Sequence, residues 1–181
     1  MKITRTKIKD VLIIEPDIFE DARGWFIESY NKKKLIELGI DIDFTQDNRS
    51  FSKTKGTLRG LHFQNNPHSQ SKLVNCTKGA VLDVTVDLRK YSPTYKEWVS
   101  TELSEKNKRQ LFIPKGFAHG FITLTDNAEF QYKVDNYQHE ESERRIRFDD
   151  PEIGVIWGNE NPILSEKDND APFLKNCDVN F

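Results

Sequence analysis

Between Gly56 and Lys72 the chain reads GTLRGLHFQNNPHSQSK, which brings a guanidinium (Arg59), an imidazole (His62) and an ammonium (Lys72) into one short stretch. Thr57, Leu58, Leu61 and Phe63 are strand formers or apolar, so a strand is expected here. Cations on a strand that faces a cavity suit an anionic ligand, and a histidine among them can move a proton near neutral pH. An exposed strand with scattered polar residues has the same composition, so the stretch alone does not decide. Strict alternation would send Arg59 and His62 to opposite faces. Gly60 stands between them, and a glycine inside a strand often marks a bulge, which would let both face inward.

Three other places carry groups able to join them. Pro114 to Gly120 presents His119 in register with Phe117 and Phe121. The alternating run Glu129 to Val134 puts Phe130, Tyr132 and Val134 on one face. Leu164 to Asp168 is a charged segment far away in the chain. Each has a plainer reading: a core histidine with a satisfied ring, a core tyrosine with its hydroxyl at the edge, a solvated aspartate. Spacing does not bring these residues together.

The elements that must position them are mostly strands. Val11 to Ile14 is an apolar run ended by Pro16, and Asp21 to Gly24 makes a turn before Trp25 to Tyr30. Asn31 can cap a short helix from Lys32 to Leu38, stopped by Gly39. Phe44 to Asn48 reads as a short strand. In Ala80 to Asp87, Leu82, Val84 and Val86 lie on one face and Asp83, Thr85 and Asp87 on the other. Trp98 to Leu103, Gln110 to Ile113 and Phe117 to Leu124 continue the pattern. Many short strands with Gly and Pro punctuation predict an all-β, antiparallel double-sheet barrel or sandwich with a few short helices. Residues 1–181 are expected to form a single domain, with 1–30 as an N-terminal strand arm and 149–181 as a loop-rich tail.

With 181 residues the chain can bury a sizeable core, and 31% charged against 36% hydrophobic residues is a globular composition. A formal charge of -2 gives no electrostatic reason to expect nucleic acid or an anionic membrane as partner. No apolar run approaches the roughly 20 residues of a membrane span, and MKITRTKIKD lacks a signal-peptide core. Cys76 and Cys177 match no zinc or redox spacing and are expected to be reduced thiols in a cytoplasmic protein.

The chain closely resembles the dTDP-4-dehydrorhamnose 3,5-epimerase family, a branch of the cupin jelly-roll barrels. The resemblance is carried by Phe19 to Gly24, Gln46-Asp47-Asn48, Leu58 to Gln64, Lys72-Leu73-Val74, Asp83 to Arg89, Ser92-Pro93-Thr94, Gln110 to Phe121, Ala128 to Lys133 and Leu164 to Asp168, in the family's order. It implies that His62 is a general base oriented by Asp168, that Tyr132 is the proton donor, and that Lys72 faces the substrate's carbonyl oxygen. It further implies that Arg23, Glu28, Gln46, Asp47, Asn48, Arg59, His119, Glu143 and Lys167 contact the sugar or the nucleotide, with Asp83 in the same polar network. The implied reaction is proton removal next to a ketone and reprotonation of the enolate. That chemistry needs a base of near-neutral pKa and preorganised positive charge, and it needs no cofactor.

Three further expectations follow from the resemblance. Pro114 to His119 matches the Pro-x-Gly-x-x-His of metal-binding cupins, but the chain has no His-x-His for their other motif, and only His62, His68, His119 and His139 are available. No metal is therefore expected. Where the family has a second tyrosine that stacks on the thymine base, this chain has Gln138, and base–aromatic stacking is worth roughly 1–3 kcal/mol. The family forms homodimers with an exchanged N-terminal strand, a part for which Val11 to Ile14 is the candidate. The nucleotide-sugar substrate is expected to be a dTDP-4-keto-6-deoxyhexose. A mono-epimerase or ketoisomerase on a related sugar, or a non-catalytic nucleotide-sugar-binding cupin, are the alternatives.

Overall fold

The computed structural model describes residues 1–181. Strands numbered in chain order build two antiparallel sheets. One is six-stranded: β1 (Lys2–Arg5), β2 (Leu12–Glu15), β10 (Gln110–Ile113), β7 (Lys72–Lys78), β12 (Ala128–Val134) and β5 (Gln46–Ser52), in that lateral order. The other is five-stranded: β13 (Glu143–Arg145), β6 (Leu58–Gln64), β11 (Phe117–Thr123), β8 (Ala80–Asp87) and β9 (Trp98–Ser104). β3 (Ile18–Asp21) and β4 (Gly24–Ile27) pair only with each other. This is the expected all-β jelly-roll architecture, and no helix is long and apolar enough to cross a membrane.

The alternation in β8 is used in an unusual sense. Its apolar residues Val84 and Val86 face a cluster completed by Ile153, Trp157 and Leu174 of the C-terminal segment. Its polar residues Asp83, Thr85 and Asp87 face the interior and are fully buried. The loop-rich tail is thus a cover over the five-stranded sheet, and its apolar side chains make the outer face of β8 a second core. Between the sheets, Val74, Leu103, Leu111, Phe117, Phe121 and Phe130 form part of a separate cluster that closes one region of the barrel. The helix α1 (Lys32–Glu37) is capped by Asn31, whose side chain accepts from Lys34 N at 3.1 Å, and it buries Leu35 against Ile14, Leu73 and Phe112 on the other sheet's outer face.

The strand that carries Arg59 and His62 is irregular where the glycine predicts. On β11, His119 pairs with His62 and Phe121 with Arg59, so two residues of one strand span three of the other. Gly60 has φ +135°, a conformation that side-chain-bearing residues rarely adopt. A Cβ on Gly60 would lie 2.5 Å from Gly120 Cα, and one on Gly120 would lie 2.8 Å from the Arg59 carbonyl oxygen. The two glycines let the backbones approach, and the extra residue resets the alternation. Leu58, Leu61 and Phe63 then share the outer cluster, while Arg59 and His62 share the cavity.

Within its own chain the apolar run Val11 to Ile14 is paired on both sides: β2 lies between β1 and β10. It is apolar on both faces, with Val11 in the inter-sheet core and Ile14 in the α1 cluster, as an internal strand must be. The unpartnered segment is the β3–β4 hairpin, where Phe19, Trp25 and Phe26 are 61%, 57% and 66% exposed. The strand expected from Phe44 to Asn48 instead runs from Gln46 to Ser52, because pairing with the whole of β12 overrides the polar look of Arg49 and Ser50.

Candidate active site

A cavity of about 280 Å³ opens between the sheets, and a smaller one of about 110 Å³ adjoins it. His62, Lys72 and Tyr132 line both. His62 comes from the five-stranded sheet, whereas Lys72 and Tyr132 come from neighbouring strands of the six-stranded sheet. The imidazole therefore looks across the cavity at the phenol and the ammonium. A larger cavity, about 680 Å³, lies elsewhere beside Arg89 and Phe181 and holds none of these groups. Chemistry, not size, locates the site.

His62 Nε2 meets Asp168 Oδ1 at 2.5 Å. Asp168 sits in a one-turn helix, α2 (Glu166–Asn169), capped by Ser165. The Ser165 hydroxyl accepts from Asp168 N at 3.2 Å and donates to Asp168 Oδ2 at 2.9 Å, so both carboxylate oxygens are committed. Burial pushes this carboxyl up, but the bond and charge of His62, with Ser165 and Arg145, outweigh it and hold it below the usual carboxylate range. An ionised, fixed Asp168 is what orients an imidazole.

A second imidazole–carboxylate pair lies deeper. His119 Nε2 and Asp83 Oδ2 are 2.7 Å apart, both buried, so the polar face of β8 does join the network. Burial raises the Asp83 carboxyl against the opposing pull of His119 and Lys72. Lys72 is driven down to about 8 by burial, opposed by Asp83 and Glu143. Its ammonium lies 5.7 Å from the Tyr132 ring centroid. Burial and the nearby Glu143 raise the Tyr132 phenol, with Arg59 opposing.

The remaining candidates divide into two groups. Gln46, Asn48, Glu143 and Gln138 line the smaller cavity, and Arg59, His119 and Lys167 the larger. Gln46 Nε2 donates to Asn48 Oδ1 at 2.9 Å. Asp47 does not join them. It alternates to the outer face and pairs with Lys133 at 2.8 Å. Arg23 and Glu28 are also outside this chain's cleft: Arg23 is at the hairpin tip, bound to Asp21 at 2.6 Å, and Glu28 pairs with Lys34 at 2.9 Å. Tyr137 is 66% exposed and does not take the place of Gln138 in the cleft.

Residues 5–176 match the family model described as dTDP-4-dehydrorhamnose 3,5-epimerase. The chain belongs to that family. The dTDP-4-dehydrorhamnose 3,5-epimerase of Shigella flexneri is 53% identical over 169 residues, 93% of each chain. The structure of the Bacillus anthracis str. Ames epimerase with TDP and PPi bound superposes with a TM-score of 0.94 at 48% identity, covering 96% of this chain and 99% of that one. The Legionella pneumophila Philadelphia 1 enzyme in complex with dTDP-4-keto-L-rhamnose gives 0.93 at 48% identity, covering 98% and 94%. Members of this epimerase family are isomerases, and this chain is an enzyme of that kind.

Sequence reasoning passed over two residues of this epimerase site. Ser165 was legible as the cap of a Ser-x-x-Asp box. Arg145, which lines the larger cavity, was hidden in a charged run between Glu140 and Arg147 that gives no strand signal. Lys72 opposes stability. A lysine whose pKa is about 8 when folded and near 10.5 when unfolded costs stability while it is charged. The cost is full below about pH 8 and is relieved as pH rises towards 10.5. Lys72→Met is therefore expected to raise unfolding stability by on the order of 1 kcal/mol at pH 7, with the gain shrinking towards pH 10. Urea melts at the two pH values check this, and a lower midpoint at pH 7 contradicts it.

Proposed function

We propose that this chain inverts C3 and C5 of dTDP-4-dehydro-6-deoxy-D-glucose to give dTDP-4-dehydro-L-rhamnose, with His62 as base and Tyr132 as acid. The observation that carries the reading is the placement of His62 and Tyr132 on opposite walls of one cavity. Inversion requires a proton to leave one face of the sugar and another to arrive on the opposite face.

With Asp168 accepting from Nε2–H, the free lone pair of His62 is on Nδ1, and this atom takes the proton from carbon. The electron pair moves onto the C4 oxygen, where the Lys72 ammonium stabilises the enolate; a pKa of about 8 leaves it charged at neutral pH. Tyr132 then protonates the carbon from the other side, and its raised pKa keeps the phenol protonated until that step. Both carbons flank the same ketone, so one set of groups serves both inversions as the ring turns. Arg59, Lys167, Gln46 and Asn48 are read as contacts to the sugar and the nucleotide. A cytoplasmic setting belongs to the same reading, and the free thiols of Cys76 and Cys177 accord with it.

In heavy water, turnover of the keto sugar is expected to place deuterium at C3 and C5, read by NMR. In His62→Ala exchange should fall at least about a hundredfold at both carbons. Deuterium at one carbon alone would make the protein a mono-epimerase, and near-normal exchange in His62→Ala would sink the base assignment.

The arm belongs to the same proposal. Phe19, Trp25 and Phe26 leave an apolar hairpin in solvent, and Arg23 at its tip is well suited to bidentate contact with phosphate. We assign this hairpin, not Val11 to Ile14, the role of crossing to a second copy, where Arg23 and Glu28 would complete the partner's site. Mixing Arg23→Ala with His62→Ala would then leave each heterodimer one site free of both defects. Activity should climb towards about a quarter of wild type for random exchange of subunits. Verified heterodimers without rescue would confine Arg23 to its own chain.

A further inference from the structure

Neither motif nor resemblance gives Arg145 a part, yet its side chain lines the same cavity as His62. The β13–β6 register sets Arg145 directly opposite His62. Arg145 Nη2 donates to Glu143 Oε1 at 2.7 Å, and its Nε lies 3.7 Å from Asp168 Oδ1. That oxygen is the one His62 Nε2 meets at 2.5 Å. No lysine and no other arginine comes within ion-pair distance of Asp168.

We propose that Arg145 is a positioning residue for the His62–Asp168 pair: clamped by Glu143, its guanidinium faces the Asp168 oxygen that His62 meets and limits the basicity this carboxylate lends to the ring. The proposal rests on His62 being the base of the reaction above.

A carboxylate in contact with an imidazole favours the protonated ring. A charged ring has no lone pair with which to take a proton from carbon. A cation on the same carboxylate oxygen offsets that field without breaking the bond that fixes the ring. The Glu143 bond holds the guanidinium in place and keeps it from pulling Asp168 away. The other groups facing His62 are arranged differently. Arg59, on its own strand, donates to Ser52 Oγ and the Phe51 carbonyl. Lys72 on β7 and Tyr132 on β12 lie on the far sheet. His119 on β11 is paired with Asp83 on β8, and Lys167, beside Asp168 in the chain, forms no ion pair with it. Among the charged groups of the cavity, Arg145 alone stands against the carboxylate.

The experiment follows the ring nitrogens of His62 by ¹⁵N NMR in the free protein across pH, for wild type, Arg145→Lys, Arg145→Gln and Arg145→Met. The acid limb of kcat/KM is measured on the same samples. Loss of the charge in the Gln and Met variants is expected to raise the His62 midpoint by roughly 0.5–1 unit, with the acid limb moving by the same amount. Arg145→Lys should stay close to wild type in both. Titrations of folded Gln and Met variants that superimpose on wild type would overturn the proposal, as would a shift as large in Arg145→Lys. A wild-type protein inert towards the keto sugar would strike the epimerase reading instead, and the NMR midpoints would still decide the part played by Arg145.

Discussion

The structure turns on a backbone contact between two glycines. Gly60 and Gly120 approach so closely that a Cβ on either would meet the other strand's backbone, and Gly60 takes a conformation that favours glycine. The extra residue this allows in β6 shifts the side-chain alternation by one. Leu58 and Leu61 can then both feed the outer core, while Arg59 and His62 both feed the cavity. In a regular strand, turning either leucine outward would leave the other in the polar cavity and would send Arg59 or His62 to the apolar core. The cover supplied by Ile153, Trp157 and Leu174 makes that outer core possible, and the same C-terminal segment delivers Asp168 to His62.

Burial disfavours the charged forms of three of the cavity's groups. The interior that shields Asp83, Lys72 and Tyr132 from water pushes the carboxyl up, the ammonium down and the phenol up. These shifts destabilise the charged forms of groups held in place by the surrounding strands, a common feature of sites in which function opposes stability. The His62–Asp168 pair goes the other way. Its carboxylate is held ionised by Ser165, His62 and Arg145, so its charge is available as a fixed reference for the ring.

Much of this was readable from residue order, and the failures have physical causes. Gly60 between Arg59 and His62 announced the bulge, and the alternation of Asp83, Thr85 and Asp87 announced a polar face but not that it turns inward, which depends on the C-terminal segment covering the apolar side. Simple parity also shows that Gln46, Asp47 and Asn48 cannot all face one cavity, and Asp47 is the one that alternates outward. The meeting of His62 with Asp168 is not local: no spacing rule joins residues more than a hundred positions apart, and only the family resemblance put them together. β13 escaped notice because Glu143 to Arg145 has the composition of a solvated face, and its pairing with β6 draws on tertiary contact. Val11 to Ile14 looks suited to exchange because an apolar run wanted on both faces by its own core resembles one wanted by a partner.

If the glycine-built bulge is what turns His62 into the cavity, Gly60→Ala disturbs that placement. The quantity to measure is the rate of solvent deuterium uptake into the keto sugar, at a temperature where circular dichroism shows the variant folded. With a methyl group forced against the Gly120 backbone, His62 should lose its position, and the rate should fall by at least about a hundredfold. A folded Gly60→Ala protein exchanging at close to the wild-type rate would contradict the account.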